Sequence, residues 1–238
     1  MSAKPSATAN AERIEISDDD ALMQALRIAH KRYFGWRPWY HHYAWSKYLL
    51  DPCYRAVASQ IRSNSDTVDL GTGLGMLPVL LGLWGGERRC HGIEWDGHKV
   101  SYAQRASQGL AGIHIEGGDV RDCVIPACDA VTLVDVLHYH PVDVQQAILH
   151  RCAAALRPNG RILIREGDLA TQGSSRWTRW VEQFSMRIGW NKGSATHFRS
   201  LTDMRADLAS LGLHVRDVYL AGPLHPGNVL IVAEKPVS

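Results

Sequence analysis

Three acids stand at equal intervals along this chain: Asp69, Glu94 and Asp119, each 25 residues from the next. The first belongs to VDLGTGLG, residues 68–75, where Gly71, Gly73 and Gly75 alternate with Thr72 and Leu74. Glycines so placed turn the backbone sharply at the end of a strand and let it approach a ligand closely. Asp69 sets the sign of the charge at that turn: it repels a phosphate and suits a cation. Glu94, in GIEWD, brings a carboxylate whose two oxygens accept two hydrogen bonds at once. A second group with acid-base chemistry lies in VDVLHYHP, residues 134–141, and REGD, residues 165–168. Histidine titrates near neutrality, so His138 and, less strongly, His140 are candidates to take a proton from a hydroxyl. Asp135 would orient an imidazole or approach the ligand, and Glu166 and Asp168 have similar standing. These five residues follow no familiar metal-ligand spacing, so no metal site is expected from them.

Such groups need strands to hold them. TVDLG (67–71), RCHGIEW (89–95) and GIHIEG (112–117) read as strands, separated by helices over 75–85, with Pro78 in the first turn, and 97–108. DAVTLVDVL (129–137) continues the pattern, followed by an amphipathic helix over 142–158 stopped by Pro158, and a strand over 160–167. A helix over 201–212 and two strands, LHVRDVYLAG and PGNVLIVAEK, close the chain. The alternation predicts an α/β fold: a doubly wound, mostly parallel, seven-stranded sheet with a C-terminal antiparallel hairpin. Ligands in such sheets sit outside the carboxyl ends of the strands, where the three acids and both histidines fall.

Two aromatic-rich pieces interrupt the rhythm. Residues 21–60 are expected to form a helical N-terminal lid, and 170–200 an insertion over the active site. For most of the individual rings, packing against one another as core is the better reading. The basic-aromatic mix also suits a carrier protein or a peripheral membrane contact.

Composition bounds the rest. With 238 residues, 45% of them hydrophobic, the chain fits one domain over 21–238 behind a loosely ordered first 20 residues. The net charge is +2 and no run of five Lys or Arg occurs, which argues against nucleic acid and for a small-molecule partner. Five cysteines without a CxxC pair, no apolar leader and no apolar run of membrane-span length lead to an expectation of a cytoplasmic protein. An oligomer is compatible with all of this.

A dinucleotide loop reads GxGxxG, but here the third glycine comes one residue early and Met76 takes its place; no lysine between 48 and 98 serves a P-loop. DLGTGLG resembles the first motif of class I methyltransferases, an acid followed by x-G-x-G-x-G. That resemblance implies S-adenosylmethionine (SAM) as cofactor and S-adenosylhomocysteine (SAH) as product. It places the backbone of Gly71, Thr72, Gly73 and Gly75 against the methionine part, with Asp69 supporting the loop or its cationic groups. It puts Glu94 on the ribose hydroxyls, Trp95 over one adenine face, and Asp119 with the Val120 N–H on the adenine edge. Each acid also has a plainer use, capping a turn or a helix.

More narrowly, RYFGWRPWYHHY, DVLHYHP, REGD, HFRS and PGNVLIVA are similar to bacterial methyltransferases of aryl polyene and related pigment pathways. This implies methyl transfer to an oxygen or carbon nucleophile on a phenolic or acyl-linked small molecule, free or carrier-bound. Two alternatives stand beside it: an NAD(P)-dependent oxidoreductase, disfavoured by Met76 and Asp69, and a non-catalytic SAM-binding partner subunit.

Overall fold

The computed structural model describes residues 19–35, 38–167, 197–220 and 228–237. The expectations for the N-terminal residues before 19, for Asp168 and for most of the 170–200 insertion lie outside them.

Seven strands form one sheet: β1 (Asp66–Leu70), β2 (Arg89–Glu94), β3 (Ile113–Gly117), β4 (Cys128–Val134), β5 (Leu156–Gly167), β6 (His214–Leu220) and β7 (Asn228–Glu234). Their order is β3-β2-β1-β4-β5-β7-β6, and β7 alone runs antiparallel to its neighbours β5 and β6. The winding reverses between β1 and β4, so the crevice of this sheet opens at their carboxyl ends. The central strands read as unbroken apolar runs because both faces are covered; Ile162, Leu163 and Ile164 are all fully buried.

The described helices are α1 (Asp20–Ala29), α2 (Pro38–Leu49), α3 (Cys53–Ser59), α4 (Met76–Trp84), α5 (Gly97–Ser107), α6 (Val142–Ala155) and α7 (Leu201–Ser210). α6 ends three residues before Pro158, and β5 begins at once. Proline disfavours helical backbone at the residue before it, here Arg157. Asn159 then takes a left-handed φ of 60° where the register of β4 against β5 shifts. β4 is likewise shorter than expected, since Asp135 leaves it at a φ of 58°.

The N-terminal segment is helical, and its aromatic rings do two jobs. Tyr33 and Tyr48 are buried in one core cluster with Leu22, Leu26, Leu77 and Leu80. Their hydroxyls donate to the carbonyls of Leu74 (3.1 Å) and Met76 (2.7 Å), so these rings brace the glycine turn from behind. Phe34 and Trp39 stay exposed. No described helix is long and apolar enough to cross a membrane.

Candidate active site

The turn after β1 is held open by geometry. Gly71, Gly73 and Gly75 all have left-handed backbone, with φ of 70°, 57° and 73°. A Cβ on Gly71 would lie 2.6 Å from a Val136 methyl, and one on Gly75 would lie 2.8 Å from the Ala103 Cβ. At Gly73 the nearest atom is 4.0 Å away, so the middle of the turn faces open space. Two glycines are therefore needed for packing and the third leaves room for a ligand.

Asp69 lies beneath the turn. One carboxylate oxygen accepts from the Thr72 hydroxyl (2.6 Å) and the other from the Thr132 hydroxyl (2.5 Å). The first contact ties the carboxylate to the turn and the second ties it to β4. Burial pushes the carboxyl up to about 6, against the pull of both hydroxyls. The folded chain therefore binds this proton more tightly than the unfolded one, whose aspartate titrates near ~4. The contribution to stability is full below that unfolded value and is lost as pH rises through about 6. Urea midpoints of Asp69→Asn should lack this decline between about pH 4 and 6. A variant curve parallel to the parent's would refute the shifted carboxyl.

Glu94 ties the turn to the end of β2. It is 3% exposed, and its oxygens accept from the N–H groups of Gly73 (2.9 Å) and Asp96 (3.0 Å). Asp96, rather than Glu94 or Asp119, caps a helix, accepting from the His98 N–H (2.9 Å) at the start of α5. Trp95 borders an open hollow with Asp96, Gly97, His98 and Ser101. Asp119 follows β3 and accepts from the backbone and guanidinium of Arg121, which holds its carboxyl below the usual range. The Val120 side chain is buried. The three acids thus stand beyond or at the ends of three adjacent strands, as their spacing promised.

Across the crevice, Leu137–Tyr139 forms a single 3-10 turn after β4. His138 Nδ1 lies 2.7 Å from Glu166 Oε2, and Glu166 Oε1 accepts from the Leu137 N–H (3.0 Å). Phe198 stacks on the imidazole, with ring centres 4.8 Å apart and planes at 14°. The His197 N–H donates to the His138 carbonyl (2.7 Å), and buried Gln145 bonds the carbonyls of both His140 and His197. Carboxylate, ring and backbone fix this imidazole together. Gln145 and Phe198 were not candidates in the sequence; the apolar face of α6 hid the first, and only its place in HFRS marked the second.

Asp135 corrects one expectation: the group that orients the imidazole is Glu166. Asp135 instead pairs with Arg165. Burial would raise its carboxyl, but Arg165, Lys47 and His138 draw it down to about 2. Arg165 also approaches Asp51 at 3.6 Å, and Lys47 holds Asp51 at 2.9 Å. Arg165 and Glu166 are neighbours on β5, so strand alternation sends them to opposite faces of the sheet. His140 stands apart from the dyad; burial keeps its imidazole below the ordinary value, opposed by Asp119.

The winding, the single antiparallel strand, the glycine turn and the acid-bearing strand ends define a Rossmann-like, SAM-dependent methyltransferase fold. The open space over Gly73, with carboxylates flanking it, fits the cationic, diol-bearing cofactor. A family model described as an O-methyltransferase domain matches residues 53–205, and the chain belongs to that family. Among solved structures, PhzM, the pyocyanin biosynthetic protein, is similar with a TM-score of 0.64 at 18% identity, over 87% of this chain and 61% of that one. NcsB1, an O-methyltransferase from neocarzinostatin biosynthesis in complex with SAM and 2-hydroxy-5-methyl naphthoic acid, gives 0.58 at 24%, over 83% and 55%. An O-methyltransferase family 2 protein from Planctomyces limnophilus in complex with apigenin gives 0.60 at 16%, over 92% and 62%. At these identities the likeness shows the fold. The chain spans 55–62% of the length of these three proteins. No curated protein matches it.

Proposed function

We propose that this chain transfers a methyl group from SAM to a hydroxyl of a small aromatic acceptor, with His138 as the base. The observation that carries the proposal is the His138–Glu166 contact at the carboxyl end of β4. A carboxylate accepting from Nδ1–H leaves Nε2 as the basic nitrogen and stabilises the imidazolium formed when it takes a proton. Bound SAM supplies an electrophilic methyl on a sulfonium. The chain supplies the rest: the turn around Gly73 admits the cofactor, Glu94 and Asp119 hold its ribose and adenine, and the stacked His138 receives the hydroxyl proton.

The ligands named for NcsB1 and for the Planctomyces limnophilus protein, a hydroxynaphthoic acid and apigenin, both carry phenolic hydroxyls and support an aromatic acceptor here. Family membership disfavours the oxidoreductase further. The test is transfer of labelled methyl from SAM to a panel of hydroxynaphthoates, hydroxybenzoates and flavones, with products identified by mass and NMR. An O-methylated product is expected. A C-methylated product would overturn the hydroxyl acceptor, and tight SAH binding with no product on any phenol would favour the partner-subunit reading.

The cofactor assignment has its own check. Glu94→Ala should weaken SAH binding by about 10- to 150-fold, the loss of a charge-assisted contact worth roughly 1.5–3 kcal/mol. Glu94→Gln, which keeps the side chain's shape over Gly73, should retain part of that affinity. Unchanged calorimetric affinity in both variants would remove Glu94 from the ribose.

A further inference from the structure

One cluster lies outside the residues assigned above to the cofactor and the base. On the parallel strands β2 and β3, His91 stands opposite His114, and Glu116 lies two residues beyond His114. Strand alternation therefore puts all three side chains on one face of the sheet. His91 Nε2 is 3.0 Å from Glu116 Oε1, and His114 Nε2 is 3.6 Å from Glu116 Oε2. One ligand atom from each residue lies within 4.8 Å of the other two. His91 Nε2 is buried and, among the described residues, makes no hydrogen bond, despite its approach to Glu116. The two atoms come close without bonding each other. Ligands on a tetrahedral ion with bonds near ~2.0 Å converge in this way, about 3.3 Å apart.

We infer that His91, His114 and Glu116 form a binding site for a divalent transition metal of the zinc type, with a fourth position open to water. Two imidazoles and one carboxylate select zinc, cobalt, nickel or copper over magnesium and calcium. The sheet ladder fixes the two histidine backbones side by side. Final closure needs only rotation of the outer side chains, of which His114 is 69% exposed and Glu116 47%. Among the described residues β3 is an edge strand paired only with β2, so a shared metal clips it in place. The sequence did not disclose this site, because the histidines are 23 residues apart and only the strand register joins them.

The test is titration of the chelator-treated full chain with zinc by calorimetry and with cobalt by visible absorption. One equivalent should bind, and zinc should raise the melting temperature. His91→Ala and Glu116→Gln should each weaken binding at least tenfold and abolish the thermal shift, with SAH affinity retained. His30 and His41 also approach each other, at 3.2 Å, so His30→Ala is the control and should bind zinc as the parent does. No binding by the parent, undiminished binding by the two site variants, or loss on His30→Ala instead would each overturn the assignment.

Discussion

His138→Ala is expected to lower the rate of methylation by about 10²- to 10⁴-fold, the usual contribution of a positioned base, while SAH binds as it does to the parent. The split between rate and affinity follows from placement. His138 sits on the turn after β4 and is held by Glu166 and Phe198, whereas the glycine turn is braced by Asp69, Glu94, Tyr33 and Tyr48. Removing the imidazole therefore leaves the cofactor cradle intact. Glu166→Gln separates positioning from proton transfer. Its amide oxygen still accepts from the Leu137 N–H, which turns the amide NH2 toward Nδ1; Nδ1 must then accept, and Nε2 carries the proton it should be free to take. A loss of rate comparable to that of His138→Ala is expected, again with SAH affinity retained, because the imidazole is still held but in the wrong tautomer. Full turnover of a phenolic acceptor by His138→Ala would sink its assignment as base.

The parallel strands were legible because burial on both faces leaves Val, Ile and Leu little competition there. The placing of the three acids by the strand ends was legible for a related reason: each βα unit has nearly the same length, so residues at successive strand ends recur at even spacing. Both signals are local or periodic. The sequence reading also named His138 and Glu166, but as members of two separate short stretches. Which carboxylate meets the imidazole depends on the face that β5 presents, and REGD offers Arg165 and Glu166 to opposite sides. Asp135, only three residues from His138, was the natural partner by proximity in sequence, and its left-handed backbone turns it toward Arg165 instead. The ion group completed by Lys47 and Asp51 was invisible because its members come from α2, the residues after it, and the ends of β4 and β5. Asp96 is a different kind of miss: an aspartate directly before a helix is a local capping signal, overshadowed by Glu94 two residues earlier.

That ion group is where a single substitution should cost the fold most. Arg165→Met is expected to destabilise the chain by about 3 kcal/mol in urea unfolding, the low end for breaking a buried pair, because Asp135 keeps 34% of its side chain exposed. Methionine fills much of the volume but leaves Asp135 and Asp51 with Lys47 as the one cation among the four. Arg165 itself is 5% exposed, and its Nε and Nη2 have no hydrogen-bond partner among the described residues. Its role is therefore charge balance more than hydrogen bonding. The pH dependence distinguishes this from packing. Asp135 is held down to about 2 in the parent, so its pairing contributes stability above the unfolded value near ~4 and loses it as pH falls through ~2. The gap between parent and Arg165→Met should be widest above about pH 5 and narrow steadily toward pH 2. A gap that stays constant with pH would make the loss one of packing. Arg165→Met combined with Asp135→Asn should recover much of the stability, since replacing both members of a buried pair costs far less than removing one, and asparagine tolerates the left-handed backbone.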